Sequence, residues 1–169
     1  MNIVYVLTGG NLGNRLANLE NAKEYLKKET GNILRSSAIY ETQAWGNTEQ
    51  PDFYNQVHII NTKLSPEQIM QKILKIEEQM GRVRTIKNAS RVIDIDILFF
   101  NNDVINKKDL IIPHEEISNR RFVLIPLNEL SSGLVHPVFH KSISELLSTC
   151  KDTLSVKLLK TLSPFQPTL

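Results

Sequence analysis

Residues 91–98 read Arg-Val-Ile-Asp-Ile-Asp-Ile-Leu. Such an alternation calls for a β-strand, where residues two apart share a face and lie roughly 6.5–7 Å apart along it. Asp94 and Asp96 are therefore expected on one face, and Ile93, Ile95 and Ile97 on the other, turned into a core. Whatever fold the chain adopts must bury one face of this strand and tolerate two adjacent carboxylates on the other.

The flanking periodicities supply the cover. Residues 3–8 alternate and are rich in β-branched types, so a first strand is expected, running into the turn Thr8-Gly9-Gly10-Asn11-Leu12-Gly13-Asn14. Leu16, Leu19, Ala22, Lys23 and Leu26 then recur at helical spacing, with Gly31 near the helix end. Residues 38–42 and 53–64 read as strands joined by a polar loop. The second helix is the best marked. Ser65 is its N-cap, Pro66 its first residue and Gln68 completes a capping box; Ile69, Ile73, Ile76 and Met80 form its buried stripe, and Gly81 stops it. A strand at 92–100 follows a basic loop, and Asn101-Asn102-Asp103 reads as a hairpin turn into Val104-Ile105. Helical stretches around 120–130 and 142–150 come last, before a tail with no assignable pattern. This order, βαββαβ, is that of a ferredoxin-like α+β fold: an antiparallel sheet with helices on one face, plus C-terminal additions, in a single domain over residues 1–169.

With 20 basic against 18 acidic residues the net charge is only +2, which argues against a protein that coats nucleic acid. No apolar run approaches the roughly 18–20 residues needed to cross a bilayer. The apolar start, residues 1–7, has no basic region before it and no small-residue cleavage site, so it reads as strand and not as a signal peptide. The single cysteine, Cys150, excludes an intrachain disulfide and suits a reducing compartment. The expectation is a cytoplasmic monomer with small-molecule substrates and no nucleic-acid or membrane partner.

Two carboxylates side by side repel, and burying them is costly unless cations neutralise them. Oxygen ligands suit Mg²⁺, which keeps several waters and shares its remaining positions with phosphates; the alternative is a solvated edge face. The preceding loop adds Arg82, Arg84, Lys87 and Arg91. Guanidinium groups match phosphate oxygens, so acids beside a basic loop are the parts of a phosphoryl-transfer site. Taken alone, the basic run favours a solvated surface loop; its adjacency to the acid pair shifts the balance. The glycine-rich turn fits neither common nucleotide-binding motif, and a tight packing turn accounts for it, so it receives no catalytic role. His136 and His140 lack a matching ligand pair for zinc. Phe53, Tyr54 and Phe122 are either core or stacking surfaces for a flat ring.

The stretch Lys87-Asn88-Ala89-Ser90-Arg91-Val92-Ile93-Asp94-Ile95-Asp96-Ile97-Leu98 closely resembles the motif of the hydroxymethyldihydropterin pyrophosphokinases. Supporting stretches fall in that family's order: Gly9-Gly10-Asn11-Leu12, Tyr40-Glu41-Thr42, Gln50-Pro51-Asp52-Phe53-Tyr54-Asn55, Glu77 with Gly81-Arg82-Val83-Arg84, and Pro113-His114 with Asn119-Arg120-Arg121-Phe122. The likeness covers about residues 3 to 150. It implies transfer of a diphosphoryl group from ATP to a pterin hydroxymethyl oxygen, with two Mg²⁺ ions held by Asp94 and Asp96. Further implied are catalytic roles for Arg82 and Arg91 and a pterin slot of Thr42, Ala44, Trp45, Gly46, Phe53, Asn55 and Phe122. ATP contacts are implied for Glu77, Arg82, Arg84, Arg91, Ile97, His114 and Arg120. The chain departs from many relatives at Asn88-Ala89-Ser90, Asp109, Ile111 and Glu115. Two other readings remain from the residues alone: an RNA-recognition module on the same scaffold, which Asp94 and Asp96 would repel RNA from, and a metal-dependent hydrolase, for which no extra ligand cluster is evident.

Overall fold

Strand β1 (Asn2–Gly10) runs through the middle of the sheet, antiparallel to β4 (Phe53–Thr62) on one side and to β5 (Asp94–Phe100) on the other. In this computed structural model, residues 1–44, 49–83 and 89–159 are described. Beyond β4 the sheet is completed by two short strands, β2 (Asn32–Ser36) and β3 (Tyr40–Thr42), which pair antiparallel with its opposite halves. The sequence leads one to expect a single strand at 38–42. Instead β2 pairs with the 58–61 half of β4, and β3 with the 53–55 half. The break is bridged at Ser37, whose N–H donates to Val57 O at 2.8 Å while its Oγ accepts the Val57 N–H at 3.0 Å. The β4 backbone therefore loses no partner there. Strand β8 (Val156–Leu158), in the tail left unassigned above, pairs antiparallel with β3.

Helices α1 (Arg15–Glu29) and α2 (Pro66–Gln79) lie on one face. Leu19, Ala22 and Leu26 of α1 and Ile69, Ile73 and Ile76 of α2 pack against Val4, Val6, Ile60, Ile93, Ile95 and Ile97. The α2 start is as expected: Ser65 Oγ accepts from Gln68 N while Gln68 Oε1 accepts from Ser65 N. Helices are not confined to that face. Helix α3 (Arg121–Ser131) and α4 (Ile143–Thr149) cover the other, through Val123, Leu124, Leu127, Leu130, Ile143 and Leu146 against Leu7, Val57, Ile59, Leu98 and Phe99. The β5 ladder with β1 slips between Tyr5 and Val6, which lets Leu98 and Phe99 both serve this second core.

The turn at Asn101 forms, with φ of 48° and Asp103 N–H on Phe100 O. The strand after it does not pair back with β5. Instead β6 (Ile105–Lys107) pairs forward with β7 (Leu110–Ile112) as a separate two-stranded sheet. The result is a mixed α/β molecule with an antiparallel main sheet sandwiched between helix pairs. Both faces are covered by helices, and among the described residues the sheet end where β1, β3, β4 and β5 meet loops carries a hollow.

Candidate active site

The alternation of β5 delivers what it promised. Ile93, Ile95 and Ile97 are buried beneath α2, while Asp94 and Asp96 are half-buried on the opposite face. Arg82, just past the end of α2, puts its Nη1 2.6 Å from Asp94 Oδ1 and 2.7 Å from Glu77 Oε1. Arg91 Nη1 reaches Asp94 Oδ2 at 2.8 Å. Burial works against the Arg82 charge, but Asp94 and Glu77 outweigh it and hold the guanidinium above its usual range. Glu77, on the inner face of α2, is buried and also accepts the Ile95 N–H at 2.8 Å, which ties helix to strand. Asp96 differs from its neighbour. Burial, then the charges of Asp94 and Glu77, push its carboxyl up to about 7, with Arg120 and Arg82 opposing.

Around Asp94 and Asp96 two hollows open. The first is lined by Thr42, Phe53, Asn55, Phe122, Arg91 and Arg120, with Leu7, Gly9 and Gln43 completing the wall. Asn55 is almost fully buried, and its Nδ2 donates to Thr42 Oγ1 at 2.8 Å. Gly9 opposite it is required, because a Cβ there would lie 2.3 Å from Asn55 Oδ1. The Arg91 guanidinium sits 5.6 Å from the Phe53 ring centre, and that of Arg120 5.8 Å from the Phe122 ring. The second hollow runs between α2 and the β6–β7 hairpin. Met70, Ile73, Leu74, Leu110 and Ile111 give it aliphatic walls, and Arg82, Lys108, His114 and Arg120 give it cations or donors. Asp94, Asp96 and Arg120 belong to both hollows, so the carboxylates stand at their junction.

The structure thus brings together Thr42, Phe53, Asn55, Glu77, Arg82, Arg91, Asp94, Asp96, His114, Arg120 and Phe122, drawn from several separate elements. Ile97 borders the second hollow with its side chain in the core. Ala44 is buried beside the first hollow without lining it, where Gln43 does instead. Trp45, Gly46 and Arg84 lie outside the described residues. Sequence reasoning missed Leu7 and Gln43 and gave Gly9 no role, although Gly9 itself belongs to the glycine-rich turn and Gln43 follows Tyr40-Glu41-Thr42. Burial, then the charge of Arg120, lowers the pKa of His114, and its Nδ1 accepts the Glu116 N–H at 3.2 Å. Among the described residues no three His, Cys, Asp or Glu side chains form a ready cage for a metal ion. Two carboxylates with excess local negative charge are a partial ligand set, which a phosphate-bearing ligand would complete.

A family model described as 7,8-dihydro-6-hydroxymethylpterin-pyrophosphokinase matches residues 5–132. The Folic acid synthesis protein fol1 of Pneumocystis carinii is 40% identical over 149 residues, 88% of this chain but 20% of that protein. The Dictyostelium discoideum protein FOL1 is likewise matched over only 21% of its length, so the chain spans about a fifth of these two relatives. The 2-amino-4-hydroxy-6-hydroxymethyldihydropteridine pyrophosphokinase of Aquifex aeolicus is 37% identical over 86% of this chain and 90% of its own length. Among solved structures, Plasmodium falciparum HPPK-DHPS superposes with a TM-score of 0.72 at 21% identity, over 88% of this chain and 43% of that one. That likeness concerns the fold alone.

Proposed function

Because the chain belongs to the 7,8-dihydro-6-hydroxymethylpterin-pyrophosphokinase family, we propose that it transfers the diphosphoryl group of ATP to the hydroxymethyl oxygen of 6-hydroxymethyl-7,8-dihydropterin, releasing AMP and the pterin diphosphate in folate synthesis. The observation that carries this reading is the junction of the two hollows at Asp94, Asp96 and Arg120. A slot with two aromatic rings and a buried amide suits a flat heteroaromatic ring. A longer cleft with aliphatic walls and cations suits a nucleotide with its phosphates. The acids stand where the two ligands would meet.

In the slot, Phe53 and Phe122 sandwich the pterin, while Asn55, oriented by Thr42, reads its amide edge, with Ala44, Trp45 and Gly46 beside it. In the cleft, Arg82, Arg84, Arg120 and His114 gather the triphosphate, Arg91 approaches it from the first hollow beside Asp94, and Glu77 and Ile97 shape the wall. Transfer needs charge neutralisation more than covalent participation by the protein. Asp94 and Asp96 are the residues that would hold two Mg²⁺ ions, which would supply that neutralisation. Asp94 meets Arg82 and Arg91 in the free protein, so these two guanidiniums stand beside the place where the phosphates would lie.

The antiparallel order β5–β1–β4, completed by β2 and β3, supports reading the sheet as ferredoxin-like. Among the described residues no helix is long and apolar enough to cross a membrane; a cytoplasmic monomer with one catalytic unit is the accompanying proposal. The test is incubation with the hydroxymethyl pterin, ATP and Mg²⁺, with nucleotide products resolved. AMP formed in step with pterin diphosphate is expected; ADP or free phosphate as the product would sink the proposal.

A further inference from the structure

Asn11 sits in the glycine-rich turn, nearly buried at 3% exposure. Its Oδ1 accepts the Arg91 N–H at 2.9 Å, and its Nδ2 donates to Pro51 O at 3.0 Å. The amide has only one workable orientation, because the Arg91 N–H can only donate and the Pro51 carbonyl can only accept. Gln50 Oε1 and Ser90 Oγ both lie 3.3 Å from the same Nδ2. Two N–H groups thus face three acceptors, so Gln50 and Ser90 compete for the hydrogen that Pro51 does not take. The turn's backbone adds a second hold: Asn11 N–H and Leu12 N–H donate to Arg91 O at 3.0 and 3.2 Å. Gly10 permits the approach, since a Cβ there would lie 2.2 Å from Val92 O.

Both ends of this arrangement matter to the site. On one side, Arg91 places its guanidinium on Asp94 and near the Phe53 ring. On the other, Pro51 lies two residues before Phe53, the first residue of β4. We propose that Asn11 is a positioning residue that couples the ring slot to the junction of the two hollows: through one amide it fixes the segment entering the ring slot at Gln50–Pro51 and the segment at Ser90–Arg91, whose guanidinium holds Asp94 at that junction. Ordering either segment orders the other, so each ligand raises the affinity of its companion, reciprocally. The inference rests on the diphosphotransferase reading above.

The test uses the full chain and titrates the hydroxymethyl pterin with and without Mg²⁺ and α,β-methylene ATP, which cannot release AMP. In the unmodified protein the analogue should tighten pterin binding about tenfold or more. Asn11→Ala should bring that ratio below about twofold, while each ligand alone binds within about fivefold of its normal affinity. A purely structural residue would weaken both ligands and leave the ratio intact; that result, or an unmodified protein with no ratio to lose, overturns the proposal. Should Asn11→Ala fail to fold, Asn11→Asp carries the test: it keeps an acceptor for the Arg91 N–H but removes the donor to Pro51 O, and a full ratio there overturns the proposal equally. An unmodified protein that yields no AMP from ATP and the pterin fails the functional reading itself, and the inference with it. AMP formation with an unchanged ratio in the variants fails the inference alone.

Discussion

Asp94 takes a guanidinium on each oxygen, Arg82 at 2.6 Å and Arg91 at 2.8 Å, whereas Asp96, two residues further along the same face, is pushed up to about 7 by burial and by the charges of Asp94 and Glu77. Neighbours of identical type thus carry opposite electrostatic conditions. One is satisfied by cations within the protein, and the other is left demanding one.

That contrast predicts opposite effects on the metal-free fold. A carboxyl whose folded pKa is raised from about 4 to about 7 stabilises the fold below the lower value and loses that contribution as pH rises towards the upper one. Asp96→Asn should therefore raise the metal-free melting temperature at pH 8, by about 2–4 °C for about 1 kcal/mol, and change it little at pH 4. Asp94→Asn should lower it, because Arg82 and Arg91 both lose a carboxylate, Arg82 keeping Glu77, at a cost of about 1–3 kcal/mol. Both substitutions should cut turnover at least about a hundredfold. Thermal melts at the two pH values, with rates alongside, check all four outcomes.

Phe122→Ala should weaken pterin binding far more than nucleotide binding, since only a flat ring loses a stacking partner worth roughly 0.5–1.5 kcal/mol beyond its buried area. Separate titrations of the two ligands decide it. Equal losses would mean collapse of the α3 start, where Phe122 packs beside the second core.

Arg82 is tied to Glu77 and Asp94 in the free protein and becomes available to phosphate only as those contacts change. Arg82→Ala should accordingly lower kcat strongly while the Kd of MgATP changes by less than about threefold. Loss of nucleotide affinity without loss of rate would assign Arg82 to ground-state binding instead.

A further test lies away from the site. His58 is fully buried, sharing hydrogen bonds with Thr8 Oγ1 and Ser36 Oγ, and burial, helped by Lys23, holds its pKa near about 3. A histidine that resists protonation when folded but accepts it when unfolded supports the fold fully above about 6.5. That support drains as pH falls towards 3, by up to about 1.4 kcal/mol per unit. Urea midpoints should thus drop between pH 7.5 and 5, and His58→Gln should flatten the drop relative to the unmodified protein.

Much of this molecule was legible in local pattern. The β5 alternation and the α2 capping box are written in consecutive residues, so both read correctly. What escaped depends on distant partners. β8 exists because Val156, Lys157 and Leu158 meet Thr42, Glu41 and Tyr40 more than a hundred residues earlier. β2 is a largely exposed edge strand with a bulge, and its side chains carry no clean period of two. Which face receives α3 and α4 is decided by the wrap of the C-terminal chain, not by their own amphipathicity. The acids of the site were readable for the same reason as the strand that bears them. The role of Asn11 was not, because its partners stand 39 to 80 positions away.

The interruption between β2 and β3 also has a mechanical meaning. A continuous edge strand would splint β4 along its whole length, so that any displacement at Asn55 would be felt at Ile60. Here the splint is cut beside Val57, and on that edge the three-residue β3 alone braces the half of β4 that carries Phe53 and Asn55. What still joins the two halves is the ladder with β1, unbroken from Asn2↔Thr62 to Gly10↔Tyr54, so a displacement at the ligand end reaches Ile60 through the middle of the sheet and not through its edge.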